Sequence, residues 1–312
     1  MKTQLEKKTK AKHNLKSEQL EMLIMSLPGI IFTIIFAYLP MLGIIIAFKN
    51  FNPNLGILKS PWAGFENFRF FFESNDFFRL MRNTVGYSLW FLFVDNFVAI
   101  VLAILFYNVT NKWKLKYYQT TAILPSFMSI VLISYIVYIF LNPASGIVNK
   151  VLVSMGMEKV SWYSEPKYWP FILTIVEIWK NVGMNCLLYY AVMVGIDESL
   201  FEAAKLDGAG KMQQIIHVII PEISALICLN LIRGVGGLIG GDFGLFYQIP
   251  RNVGVLYPAT DVINTYVFRA LQSGSNFGRT GAVGLFQSVI GSILIVITNA
   301  AVRKIDEEKA MF

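Results

Sequence analysis

GIDESLFEAAKLDGAGKMQQIIHVIIP, residues 195–221, is the stretch on which the reading of the whole chain turns. It lies between two long apolar runs, yet it is charged and patterned like a helix. Leu200, Phe201, Ala204 and Leu206 can form an apolar stripe, with Asp197, Glu198, Glu202 and Lys205 elsewhere on the cylinder. Gly208 and Gly210 then interrupt it, and a second apolar run begins at Met212. The pattern predicts a short helix, a glycine-permitted bend and a second short helix. Adjacent Ala203 and Ala204 carry little bulk, which lets another protein approach the backbone, so partner docking is the natural use. Gly208-Ala209-Gly210-Lys211 imitates the end of a phosphate-binding loop. That pattern needs a Gly five residues before its second Gly and Ser or Thr after the Lys. Lys205 and Met212 stand there instead, so this chain is not expected to bind ATP itself.

Composition names the solvent of the flanking runs. Of 312 residues 55% are hydrophobic and only 15% charged, and the mean hydropathy is +0.55. With Gly added the apolar share exceeds the ~45–50% of a soluble domain. So much apolar surface would aggregate in water, and lipid is the expected surrounding. A helix needs about 20 apolar residues to cross a bilayer. Six stretches qualify: 22–47, 83–108, 118–141, 169–194, 216–239 and 281–303. The first is too long for a signal peptide and no small-residue cleavage site follows, so it is read as a retained anchor. With a cytoplasmic N-terminus, the inside segments 1–21, 109–117, 195–215 and 304–312 hold 13 Lys/Arg in 60 residues. The outside segments 48–82, 142–168 and 240–280 hold 11 in 103. Positive charge thus concentrates inside, with Lys112, Lys114 and Lys116 the clearest local signal. The +7 net charge therefore reports membrane orientation, and no nucleic-acid-binding pattern competes with it.

Chemistry-bearing residues are scarce. Cys186 and Cys228 both lie in apolar stretches, and His13 and His217 are the only imidazoles. No catalytic residue, metal site or cofactor site of this chain's own is expected. Charges within spans each need a reason, because one at a helix centre costs about 2.5–3.5 kcal/mol on insertion scales. Asp95 lies in the second span. Glu177 and Lys180 share a face of the fourth, where they could neutralise one another, and Asn181 and Asn185 extend that face. Glu177, Asn181, Asn185 and Asp95 either face a wet cavity that passes a hydroxyl-rich solute or act as interhelical polar glue or as contacts with a second membrane subunit. Arg233 is close enough to the outer end of span five to snorkel, and Glu222 sits near its inner boundary. Gly236/Gly240 and Gly237/Gly241 suit close helix packing or a helix break. Outside, 61–82 interleaves Phe with charge, as an amphipathic surface element or an ordinary loop would. Trp162, Tyr163, Tyr168 and Trp169 fit an interfacial aromatic belt or a sugar-stacking platform.

EAAKLDGA (202–209), followed by Val218 and Ile220-Pro221, resembles the EAA loop of ABC-importer permeases of the MalF-like, binding-protein-dependent, carbohydrate-uptake family. Glu202, Ala203, Ala204, Asp207, Gly208 and Pro221 fall at the family's spacing. Ile215 stands where an aromatic is common and Ala225 where a second Pro often occurs. Further blocks are similar to the LplB/YteP-type polysaccharide and oligosaccharide subgroup: YLPMLGIIIAFKNFNP (38–53), GILKSPWAGFENF (56–68), RNTV (82–85), QTTAILPSFMS (119–129), IWKNVGMN (178–185), DVINTYVFR (261–269) and TGAVGLFQSVIG (280–291). The resemblance implies an all-α integral membrane protein with six transmembrane helices, the type I importer (MetI-like) permease fold, and a cytoplasmic coupling helix seated in an ATPase cleft.

It also implies an organisation: a cytoplasmic tail 1–21, a first helix and extracellular loop 22–82, a five-helix core 83–303 carrying the loop 195–221, and a cytoplasmic tail 304–312. The expected setting is a bacterial cell membrane. The expected partners are a second homologous permease, two ATP-binding subunits that hold ATP-Mg, an extracellular solute-binding lipoprotein and an oligosaccharide. Two other classes compete. An ion-gradient-driven secondary transporter would take up solute with no ATPase, and usually shows inverted repeats, of which there is no convincing sign. A membrane-embedded enzyme would need a metalloprotease helix motif or a nucleophile elbow, and neither is present.

Overall fold

The computed structural model describes residues 20–274 and 277–311, and every regular element among them is helical. Five helices are long and apolar enough to cross a membrane. They are α1 (Leu20–Phe48), α3 (Phe77–Tyr107), α7 (Pro166–Val194), α9 (Lys211–Gly236) and α12 (Phe277–Lys304). A bent pair, α4 (Lys112–Phe127) and α5 (Ile130–Leu141), is apolar enough for a sixth crossing if the two halves together form one broken span. Shorter helices include α2 (Glu66–Phe72), α6 (Ile147–Ser154), α8 (Glu198–Leu206), α10 (Phe243–Gln248) and α11 (Ile263–Gln272). Of the basic tail 1–21, all but its last two residues lie outside the described residues.

All six apolar stretches are thus helical, with three corrections. The run 118–141 is not one rod: α4 and α5 meet at 101°. Pro125 cannot donate to the ladder, the chain turns extended at Met128 and Ser129, and Ser129 restarts the helix by accepting the Leu132 N–H at 3.2 Å. The second helix of 195–221 is not a separate short piece but the first turns of α9. Its continuity across Pro221 rests on a widened turn at Ile215–Ile219, which gives room where a proline would otherwise clash with the preceding turn. Pro40 in α1 sits just after the same kind of turn, Ile34–Tyr38. Finally, 61–82 is no single surface element, because α2 covers 66–72 and α3 already begins at Phe77.

By contact density the chain forms two units: residues up to Phe71 with 276–285, and Phe72–Ser275 with 286–312. In the first, Lys49 is buried, donating to the carbonyls of Ile57 and Leu58 at 2.8 and 3.0 Å. Asn67 of α2 ties to the Ala47 and Lys49 carbonyls at 2.8 and 3.0 Å. Phe48 packs against Phe65 and Phe68. Phe65 and Phe68 thus pack locally on Phe48, while Trp62, Phe65, Phe70, Phe72 and Phe78 of the same stretch remain exposed.

The second unit has two apolar cores. One gathers Phe91, Ile133, Trp169, Leu173, Leu245 and Ile249. The other gathers Ala99, Ala103, Cys186, Tyr189, Met193, Phe201 and Ile223. Small residues set the spacing: a side chain on Gly183 of α7 would run into the Ala122 carbonyl of α4, and one on Gly291 of α12 would lie 2.7 Å from the Gly236 carbonyl of α9. At Gly236 α9 also ends, and Gly241 turns with φ +74° before α10. Both readings of the glycine pairs, close packing and helix break, are realised together.

Candidate functional site

The loop 195–221 is built from three local devices. Asp197 caps α8, its carboxylate accepting the Ser199 N–H at 2.9 Å, and this hydrogen bond holds the carboxyl below its ordinary range. At the other end Gly208, at φ +79°, donates to the Lys205 carbonyl at 3.0 Å, and Ala209 donates to that of Ala204 at 2.8 Å. That pair of bonds is a Schellman closure, which needs a left-handed residue and so a glycine after the helix. The third device is Phe201, buried in the second core and stacked on Tyr107 at 6.0 Å. Phe201 alone of the predicted stripe is buried. Leu206 is 89% exposed, because five residues at ~100° each carry it ~140° around the helix from Phe201. Glu202, Ala203, Asp207 and Gly208 are exposed, Ala204 is half-buried, and Pro221 lies exposed on α9. One ring thus holds α8 to the spans while its outward face carries small residues, charge and a protruding leucine.

In the spans, Glu177 (8% exposed) and Asp95 (9%) are both buried. Asn181 donates to Glu177 Oε1 at 2.6 Å, whereas Glu177 Oε2 and Asp95 Oδ1 have no hydrogen-bond partner. Glu177 and Lys180 form no direct ion pair among the described residues, and the electrostatic neighbours of Glu177 are Asp95, Asp242 and Lys180. The Lys180 carbonyl instead accepts the Ser126 hydroxyl at 2.6 Å, fixing the break between α4 and α5 against α7. Asn185 is half-buried on α7. Asp242, which the sequence did not single out here, caps α10 through the Leu245 N–H at 3.0 Å.

Two further polar groups escaped sequence reasoning. Tyr189 donates to Asn96 Oδ1 at 2.6 Å and accepts from Asn230 at 3.1 Å, joining α7, α3 and α9 inside the core. The signal was the two asparagines standing in apolar runs. Asp261, fully buried, meets Arg269 at 2.6 Å, Arg79 at 3.1 Å and the Thr265 hydroxyl at 2.8 Å. Asn83 adds hydrogen bonds to the Pro258 and Asp261 carbonyls, so the start of α3 is clamped to the chain around α11.

Within the aromatic run Trp169 is buried, while Trp162, Tyr163 and Tyr168 are half-buried. The Trp169 indole N–H donates to the Trp162 carbonyl at 2.8 Å. Tyr163 packs on Trp169 and Tyr138, and burial pushes its phenol up to about 12.

Five apolar spans, a bent pair able to supply a sixth, and a capped helix displayed between two of the spans fit the architecture of a membrane permease. Residues 95–309 match the family described as the binding-protein-dependent transport system inner membrane component, and the chain belongs to that family. It is a multi-pass permease of an ABC importer. It is similar to Protein LplB of Bacillus subtilis (strain 168), 33% identical over 91% of this chain and 89% of that protein. It is also similar to the polygalacturonan/rhamnogalacturonan transport system permease protein YteP of the same organism, 32% identical over 93% and 90%. Among solved structures it resembles a chain of a bacterial ABC transporter involved in importing the acidic polysaccharide alginate, with 31% identity, TM-score 0.85, and 94% of this chain and 98% of that chain covered. It also resembles a chain of a bacterial alginate ABC transporter solved in complex with alginate pentasaccharide-bound periplasmic protein, with 30% identity, TM-score 0.84, and 94% of this chain and 96% of that chain covered. The ion-gradient alternative draws nothing from these matches.

Proposed function

We propose that this permease imports oligosaccharides released from complex polysaccharides and forms half of the translocation path beside a second homologous permease. An extracellular solute-binding lipoprotein delivers the sugar, and two ATP-binding subunits on the other side hydrolyse ATP-Mg. This chain is the non-catalytic subunit, holds no cofactor, and sits in the bacterial cell membrane with both termini and loop 195–221 in the cytoplasm. The observation that carries the reading is the division of labour on α8: an outward face of Glu202, Ala203 and Leu206, and an inward ring, Phe201, seated in the core. A helix held this way can dock in an ATPase cleft and pass its movement to α3, α7 and α9, so that two states of the spans are biased from one end. Glu177 and Asn181, beside the broken span, and Asp95 and Asn185 supply the hydrogen-bonding groups that a sugar needs along the path; broken helices mark such sites in other transporters.

The test is reconstitution of the complete importer in liposomes with labelled oligosaccharide. Glu202→Lys and Gly208→Glu should abolish ATP-dependent uptake while all spans remain inserted. Normal ATP-driven import by both variants would overturn the docking role. Uptake by this chain without any ATPase would overturn the importer reading itself.

A further inference from the structure

Between α3 and α7, at the end of α7 away from loop 195–221, lies a groove of about 860 Å³. Its rim carries Arg82 and Lys167, and its walls are formed by Trp90, Val94, Phe171 and Ile178. Arg82 and Val94 are twelve positions apart on α3, so the groove runs along ~18 Å of helix. One leaflet of a bilayer is ~15 Å of hydrocarbon. The groove is therefore as long as an acyl chain is deep.

The polar groups along it are already engaged. Asn83 donates to the Pro258 and Asp261 carbonyls, the Tyr87 hydroxyl donates to the Ala259 carbonyl, and Thr174 donates to Pro170 while accepting from Trp90. A sugar would find few hydrogen-bonding partners here. The rim is different. The Arg82 guanidinium donates only to neutral oxygens, those of Asn83 and Pro258, and is in no ion pair among the described residues. Lys167 is held by Glu165 at 2.8 Å, yet it stays largely exposed. An uncompensated cation above an apolar channel matches an amphipathic anion.

We propose that this groove binds one anionic phospholipid, its phosphate at Arg82 with Lys167 alongside and one acyl chain lying past Trp90 to Val94. Its placement in the outer leaflet rests on the orientation proposed above, whereas binding itself does not. Gly86 gives a clean probe. It is exposed on the groove, a Cβ built there meets nothing within 4 Å, and its backbone is ordinary helix. A larger residue should occupy the channel without harming the fold, since glycine is a poor helix former.

The experiment is native mass spectrometry of the assembled importer, purified from vesicles of equal phosphatidylglycerol and phosphatidylcholine. The wild-type complex should retain phosphatidylglycerol in preference. Arg82→Gln should lower that preference about fivefold, the weight of one cation beside an anionic headgroup. Gly86→Leu should remove the retained lipid from a complex that still assembles. Equal retention of the two lipids by wild type would overturn the proposal. So would a Gly86→Leu chain that loses its second permease, which would make the groove a protein seam. Displacement of nothing but oligosaccharide by Gly86→Leu would make it a sugar site. The import assay above can fail without changing any of these readouts.

Discussion

Asp261 concentrates the residue-scale physics of this chain. A fully buried carboxylate is tolerable only when its charge is met, and here two guanidinia and a threonine hydroxyl meet it. Removing the acid leaves Arg269 without its ion partner, while Arg79 keeps Asp76 at 2.9 Å. Asp261→Ala should therefore cost about 3–5 kcal/mol, the scale for breaking a buried pair from one side. It should appear as a large fall in thermal midpoint of the purified chain in detergent. Arg79→Ala should cost less, because Arg269 still neutralises the acid at 2.6 Å. Equal losses for the two variants would contradict this hierarchy. Such a cluster is hidden from sequence reasoning because Arg79 lies 182 positions away, and hydropathy records that a residue is polar, not what it meets. At Glu177, helical spacing put Lys180 and Asn181 on one face but did not say which of them would donate: the hydrogen bond comes from Asn181, and Lys180 acts only through space.

At the scale of the element, α8 was legible because its devices are local. The acid at its start, the glycine after its end and the apolar residue between them all act within a few positions, so the sequence carries them directly. What it concealed was which stripe residue would turn inward, and that the following helix continues into a span. The closing glycine yields a prediction. At φ +79° a Cβ is strained by backbone, not by neighbours, for a side chain there meets nothing within 4 Å. Gly208→Ala should cost about 1–2 kcal/mol, with Gly208→Asn recovering part of it, read as faster hydrogen exchange in the last turn of α8. The opening cap yields another. Asp197 has a lowered folded-state pKa, so its contribution is complete above the ordinary carboxylate value of 3.8 and is lost as pH falls through the lowered one. Relative to the intrinsic rate at each pH, exchange at Ser199 and Leu200 should stay protected at neutral pH, and the protection factor should fall only on strong acidification. Asp197→Asn should keep the cap and flatten that dependence.

For the whole molecule, five of the six apolar runs fall on single helices long and apolar enough to cross a membrane and the sixth falls on the bent pair, since lipid forces a span to satisfy its own backbone and to be apolar over a fixed length. The break between α4 and α5 was not read from composition, although Pro125 and Ser129 carry it. The crossings matter for function only if movement at α8 reaches them, and Phe201 is the side chain that joins the two. It stacks on Tyr107 at the end of α3 and sits with Met193 of α7 and Ile219 of α9. Truncating a buried phenylalanine costs about 3–5 kcal/mol, while ~1.4 kcal/mol is enough for a tenfold shift between two states. The outward face, with Glu202, Ala203 and Leu206, is untouched by that change. Phe201→Ala should therefore leave the ATP-binding subunits co-purifying with the permease, and leave hydrolysis measurable, while sugar imported per ATP falls at least about tenfold. Glu202→Lys should do the reverse and lose the subunits first. If Phe201→Ala instead sheds the ATPases and Glu202→Lys keeps them, the ring is part of the docking surface and the spans receive their signal by another route.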